Sequence, residues 1–416
     1  MEKSITNLVH GGIKQWAPKL LIKKALVDFS SPESSGAMDF LHFRAAIIGD
    51  SIARILEFSG VKVMRASHVT AYGSQGWQLI RSSEWKPMPV DTCQQLREFY
   101  TLAGIQWQDE EGTFYSVREE ALKNLRNDMK EKFLVMPRGD ILTELISLEY
   151  RLKYQKADWI IYISHATHED HFFQTFKVAE SAGWHGGDND YPKFSHISLQ
   201  KKCDFGLAMQ FNDVFKGVKS RSENLLKFVL PESEYQRVKT SHSVAYASLK
   251  YAILKKTFGE IAFDEIDVKH LFNRKGKTAV YLLRTYSWIS GMLDHVHREE
   301  LKKNNAVVVE HVGARALALY LLRFPEVIQK ALDSLSAAVL CDYVYDLAMI
   351  FTQKFYAEYA RDLQFARVHF DHQEQRLKEL TAAAMSRRTL LIEATRIVME
   401  KCLELLGLEP VSCLLF

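Results

Sequence analysis

A change in hydrophobic pattern near residue 235 divides this chain into two structural classes. Before it, residues 45–60 have helical spacing and end at a glycine, and residues 61–69 have the composition of a strand. A second such pair is the apolar run 157–164 followed by the helical segment 171–184. After residue 235 the periodicity is helical almost throughout. We therefore predict an α/β half with a parallel sheet, followed by an all-α bundle.

Length and pattern together predict the domain boundaries. A chain of 416 residues accommodates two or three domains of ordinary size, and a hydrophobic content of 47% supports a sizeable core. We predict an N-terminal segment at 1–26, an α/β domain at 27–234, a connecting helical segment at 235–292 and a helical domain at 293–416.

Charge and cysteine content restrict the partners and the compartment. A net charge of +3 provides no global field for nucleic acid, so any RNA binding requires a local patch. No segment reaches the ~20 apolar residues that span a bilayer. The cysteines are scattered without a CxxC pair, which favours buried thiols in a reducing, cytoplasmic compartment and leaves a mitochondrial location open. They are Cys93, Cys203, Cys341, Cys402 and Cys413.

The most specific motif lies between residues 27 and 75. It contains DFSSPE, then DFLHFRAAIIGD, then SHVTAYGSQ. This stretch resembles the active site of class I arginyl-tRNA synthetases, whose pattern is DFSSPN, HxGHLRSTIIGD and NHVGDWGTQ. The spacing is kept, but Glu33 replaces the asparagine, Asp39 and Leu41 replace the first histidine and the glycine of HxGH, and Ala71 replaces the aspartate.

The resemblance covers nearly the whole chain and is nearest to the eukaryotic cytosolic form. The segments ADWIIYIS, TAVYLLRTYSWI, 322–356 and 390–411 are similar to family segments. The resemblance implies a Rossmann-type class I catalytic domain, followed by an all-α DALR-type anticodon-binding bundle.

The substitutions fall on the residues that carry the family's chemistry. A carboxylate at Asp39 stands where a donor stabilises the phosphate charge of the transition state, and Leu41 fills the space against which adenine lies. His42 is retained. The DNGQ turn, whose acid recognises arginine, is replaced by SHATH with His165, and imidazole offers guanidinium no carboxylate. The resemblance therefore implies a vestigial site with no catalytic residue set intact and no bound ATP cofactor.

Two further segments have alternative interpretations. Lys219 and Arg221, in VKSRSENLL, resemble a remnant of the mobile KMSK-type loop, or else form an exposed polar turn. His165, His168 and His171 have a spacing that could bind a metal. However, His165 and His168 lie in the segment that corresponds to the family's substrate turn, and His171 aligns with a family histidine that binds no metal. We therefore predict no metal site.

The helical half contains the predicted tRNA contacts. Aromatic residues at helical spacing either stack on anticodon bases or belong to the core. The chain ends PVSCLLF, without the arginine that family members usually carry in that motif, which weakens any expectation of anticodon specificity. The predicted contacts are Arg323, Lys354, Phe355, Tyr356, Arg387 and Arg388.

These features predict a catalytically inactive arginyl-tRNA synthetase paralogue that binds tRNA or serves as a subunit of a larger protein complex. One alternative is a divergent but active arginine–tRNA ligase. The other is a purely structural protein that has also lost RNA binding.

Overall fold

The computed structural model describes residues 1–29, 40–66, 100–101, 104–105, 123–132, 140–184, 192–199, 211–227, 234–256, 268–294, 309, 311–361 and 374–411. The chain forms two compact units. The sheet unit comprises Lys19–Phe215 and Lys256–Glu265. The helical unit comprises Met1–Pro18, Lys216–Lys255 and Ile266–Phe416.

The main elements follow the predicted order of mixed and then helical structure. They are α1 (Glu2–Gly11), β1 (Lys24–Phe29), α2 (Phe40–Phe58), β2 (Lys62–Ala66), α3 (Asp140–Lys153), β3 (Trp159–His165), α4 (Glu169–Ser181), β4 (Lys193–Leu199), α5 (Phe211–Leu226), α6 (Glu234–Leu254), α7 (Ala279–Leu293), α8 (Val312–Leu321), α9 (Phe324–Asp333), α10 (Ala338–Ile350) and α11 (Glu374–Leu405). A π-helical turn, Phe351–Phe355, continues α10.

The sheet unit is built on four parallel strands in the order β2-β1-β3-β4. Asp28 of β1 is aligned with Ala66 of β2 on one side and with Tyr162 of β3 on the other. The inner strands β1 and β3 are buried along most of their length, as expected for a parallel sheet covered on both faces. The predicted α/β fold with a parallel sheet is confirmed.

A glycine sets the close approach of α2 to β1. A Cβ atom added to Gly49 would lie 2.4 Å from Cδ1 of Phe29, whose side chain is fully buried. A larger residue would push the helix off the strand. The glycine therefore sets the distance between the middle of α2 and the end of β1.

The helical unit is all-α in its described parts, as the sequence predicts. Its core includes Leu317 of α8, Phe324 of α9, Leu347 of α10 and Leu391 of α11. Helix α1 packs against α11 within this unit. Among the helices that the structure describes, none combines the length and apolarity required to cross a bilayer.

The two units divide the chain differently from the predicted boundaries. Residues 1–18 belong to the helical unit, while β1 already begins at Lys24, so the predicted segment 1–26 is split. Helix α5 from Lys216 onward also belongs to the helical unit, although it lies within the predicted α/β domain 27–234. The reason is packing: the buried Ser222 hydroxyl of α5 donates to the backbone carbonyl of Ser241 in α6, at 2.7 Å.

Candidate functional site

The carboxyl ends of the four parallel strands meet at one edge of the sheet, the usual ligand side of such folds. Polar side chains lie at or next to each strand end there. Asp28 comes from β1, Arg65 from β2, Ser164 from β3 and Ser198 from β4. Ser164 and Ser198 are register partners.

The turn after β3 is held by imidazole and hydroxyl groups. Nδ1 of His165 lies 2.7 Å from Oγ1 of Thr167 and accepts the Thr167 backbone N–H at 3.3 Å. The carboxylate of Glu169, in the first turn of α4, accepts the hydroxyl of Ser198 at 3.2 Å. Glu169 thus accepts a hydrogen bond from within the protein, and Asp170 is the second acidic residue in the first turn of α4. His165 itself brings no carboxylate to this turn.

His196 lies beneath this turn. Its Nε2 is 2.9 Å from Oγ of Ser164, and its ring stacks on Phe172 with centroids 4.5 Å apart. Burial, with smaller contributions from His168 and His171, lowers the pKa of His196 to about 4. The fold therefore holds a neutral imidazole at this edge at physiological pH.

This depressed pKa predicts an acid-dependent loss of stability. The ordinary pKa of 6.5 applies to the unfolded chain, so the stability contribution is present above pH 6.5 and is lost as pH falls towards about 4. Because His196 is only partly buried, we expect a loss on the order of 1 kcal/mol between pH 7.5 and 5. Urea unfolding at both pH values should show that His196→Asn loses less stability than wild type.

The control is His311→Gln, which changes an exposed histidine at the start of α8. It should follow the wild-type pH dependence. Equal pH dependence in wild type and His196→Asn would contradict the assignment.

The structure describes the HxGH-like segment, residues 39–42, only from Phe40 onward. Asp39 lies outside the described residues, whereas Leu41 and His42 are half-buried in the first turn of α2. Arg44, one turn further, is 3% exposed, and burial lowers its pKa. A branched side chain therefore occupies the position that the resemblance assigns to glycine, at the start of a well-packed helix.

The loop and turn interpretations of Lys219 and Arg221 are both wrong. Both residues lie inside the regular helix α5, which belongs to the helical unit. Lys219 is half-buried and Arg221 is exposed. Val218, Ser222 and Leu226 are buried at four-residue spacing, and this is a helical pattern that the short KSR motif does not indicate.

Burial corrects part of the predicted tRNA-binding set. Phe355 is 2% exposed and packs on Phe351, so it is a core residue and not a base-stacking platform. Arg388 is 7% exposed and lies over the ring of Tyr359, with its Cζ 5.2 Å from the ring centroid, so it is not on an open surface.

The other members of that set differ in their surroundings. Arg323 and Lys354 are exposed. Tyr356 is half-buried, with its ring centroid 4.2 Å from that of Trp288. The side chain of Arg387 lies outside the described residues. Within the described residues, no three His, Cys, Asp or Glu side chains are grouped so as to hold a metal ion.

Sequence reasoning missed a buried charge cluster below the sheet edge. Nη2 of Arg151, a fully buried residue of α3, donates to Oδ2 of Asp28 at 2.6 Å. The Arg151 guanidinium also lies 5.3 Å from the ring centroid of Tyr162. Burial, and to a smaller extent Glu144, raises the pKa of Tyr162 well above its ordinary value. The two partners are 123 positions apart, so no local pattern signals their contact.

Comparison with known proteins agrees with this architecture. The family model for the class I (R) tRNA synthetase catalytic domain matches residues 5–138, and that for the DALR anticodon binding domain matches 282–414. The crystal structure of arginyl-tRNA synthetase from Plasmodium falciparum superposes with a TM-score of 0.71 at 20% identity, covering 94% of this chain and 77% of the other. This likeness confirms the predicted fold, a class I catalytic domain with a helical anticodon-binding domain.

Two plant proteins establish the family. The cytoplasmic arginine–tRNA ligase of Arabidopsis thaliana is 31% identical over 99% of this chain and 82% of its own length. The chloroplastic/mitochondrial ligase of the same plant is 30% identical over 99% of this chain and 75% of its own length. The first alignment spans 511 positions, more than the 416 residues of the chain, so the relative contains internal segments that this chain lacks. The chain belongs to the class I arginyl-tRNA synthetase family.

Proposed function

We propose that this protein is a member of the family that binds tRNA but does not attach arginine to it. The observation that carries the proposal is the turn after β3. There, His165 stands in the turn where the resemblance places the arginine-binding acid, and its Nδ1 lies 2.7 Å from Oγ1 of Thr167. A guanidinium group requires a paired carboxylate for bidentate recognition.

The start of α2 supports the same proposal. Leu41 is half-buried at the position that the family resemblance assigns to a glycine beside adenine. A leucine there opposes close approach of a ring to the backbone, since the side chain occupies the contact surface. We therefore propose that ATP is not a cofactor of this protein.

A divergent but active arginine–tRNA ligase is the second candidate. The observation that favours it is the extent of the likeness, because both plant ligases align over 99% of the chain. His42 and Arg44 are also kept in the HxGH-like segment. In this candidate other residues would have to replace the lost donor and the arginine-binding acid.

The partners and the compartment follow from the first candidate. A protein that binds tRNA without charging it acts through the partners that it binds. We therefore propose that it works in a protein complex. The related ligases are named as cytoplasmic and as chloroplastic/mitochondrial. The scattered cysteines, of which Cys341 and Cys402 are free and buried, favour the cytoplasm.

Binding and charging of tRNA, measured on one preparation, separate the candidates. We expect a labelled tRNA transcript to be retained on filters at low salt, with no arginine attached in an aminoacylation assay. The Arabidopsis cytoplasmic ligase serves as the positive control. Arginine attachment above the level of a heat-denatured sample would establish the second candidate, and failure to bind tRNA would leave a structural role.

A further inference from the structure

The helix pair α5 and α6 carries an excess of positive charge. Residues 211–256, which form α5 and α6, contain nine Lys and Arg residues against four Asp and Glu residues. Residues 312–361, which include the exposed Arg323 and Lys354, contain five of each sign. Phosphate binding depends on local excess charge. The segment with four of the six predicted tRNA contacts therefore has no such excess, and the α5 and α6 pair does.

Four lysines and one histidine of the helix pair share a face. Lys216, Lys219 and Lys227 recur at helical spacing along α5 and just beyond its end. Lys239 lies three residues before His242 on α6. We call these five residues the α5–α6 cationic face.

Contacts between the helices place both halves of this face together. Nε2 of His242 lies 3.5 Å from Oε1 of Glu223, which is on the same side of α5 as Lys219. The pKa of His242 is lowered by burial and then by the charge of Lys219. Positive charge from α5 thus acts on a side chain of α6.

Most of this charge is available to a partner. Lys216 and Lys239 are exposed, and Lys219 is half-buried. Within the described part of the chain, Lys216, Lys219 and Lys239 form no ion pair, and Glu223 is the only acidic side chain described on α5 and α6. Such a surface retains its counterions until a polyanion displaces them.

We propose that the α5–α6 cationic face is an RNA-binding surface that contacts the phosphate backbone, outside the segment matched by the anticodon-binding model. This inference rests on the proposed tRNA binding and assigns it a location. Lysine ammonium groups recognise phosphate as point charges and carry no base specificity, so binding at this face depends on salt and not on sequence.

The test compares two triple variants of the full chain. The first is Lys216→Gln, Lys219→Gln and Lys239→Gln. The matched control removes the same charge from exposed lysines of the sheet unit, by Lys62→Gln, Lys123→Gln and Lys130→Gln. The probe is an unmodified tRNA transcript, titrated at salt concentrations from 50 to 300 mM.

Loss of three phosphate contacts should reduce the salt slope of log K by about 2 to 3. Affinity at 100 mM salt should fall about tenfold or more for the first triple and less than about twofold for the control. If the two triple variants lose the same affinity while the wild-type protein still binds tRNA, the assignment of tRNA binding to the α5–α6 cationic face is wrong, and the proposed function stands. Failure of wild type to bind tRNA at 50 mM salt would overturn the proposed function as well.

An acidic protein segment is the competing occupant. A polyglutamate peptide is the probe for it. If the first triple loses polyglutamate binding while its tRNA affinity equals that of wild type, the face binds protein and the RNA assignment is wrong.

Discussion

Purified full-length protein should show no arginine-dependent exchange of pyrophosphate into ATP. A donor aimed at the charge of a transition state contributes about 10²–10³ to the rate. Two contributions are altered, since Asp39 stands at the position of such a donor and His165 stands in the turn of the arginine-binding acid. We therefore expect a rate at least about 10⁴ below that of the Arabidopsis cytoplasmic ligase under the same conditions. Exchange is measured with labelled pyrophosphate, with and without arginine and tRNA.

Reversion at the HxGH-like segment provides the control. Asp39→His with Leu41→Gly should not restore exchange by itself, because His165 still occupies the turn where an acid would bind guanidinium. Arginine-dependent exchange by the wild-type protein, above that of a heat-denatured sample, would contradict the proposal. Restoration by the double reversion alone would show that the arginine pocket is intact.

Hydrophobic periodicity was sufficient to predict an α/β half with a parallel sheet followed by an all-α half. Strands β1 and β3 are short and apolar because both of their sheet faces are buried, and the helical half repeats apolar residues at helical spacing because one stripe packs inwards. These signals are local, so they can be recognised in a single sequence.

Site predictions were weaker wherever they depended on surroundings. Phe355 and Arg388 were chosen for their chemical type, but the burial of both is determined by neighbouring helices. The three-residue KSR motif predicts either a loop remnant or an exposed turn at Lys219, whereas the helix that contains it has sixteen residues. Short motifs carry less information than periodicity over several turns.

The contact between Asp28 and Arg151 shows the same limit most clearly. It joins β1 to α3 across 123 positions, and neither residue is unusual in its own segment. Only the fold brings them together. The contribution of this contact to the free energy of unfolding can be tested by substitution.

Asp28→Ala should destabilise the sheet unit by about 3–5 kcal/mol. The substitution leaves the guanidinium of Arg151 fully buried without its carboxylate, and the cost of an uncompensated buried charge is of this order. Such a loss is a large part of a typical total stability of about 5–15 kcal/mol. Calorimetry suits the measurement, because a chain with two compact units can unfold in two transitions.

Two further variants test the physical cause. Asp342→Ala breaks an exposed ion pair with Lys277, of similar length at 2.7 Å, and should cost less than about 1 kcal/mol. Asp28→Leu combined with Arg151→Met removes both charges and should be less destabilising than Asp28→Ala, since no charge is left unpaired. If Asp28→Ala costs no more than Asp342→Ala, the buried pair is not holding the sheet unit together. If the double variant is as unstable as the single one, then lost packing and not unpaired charge is the cause.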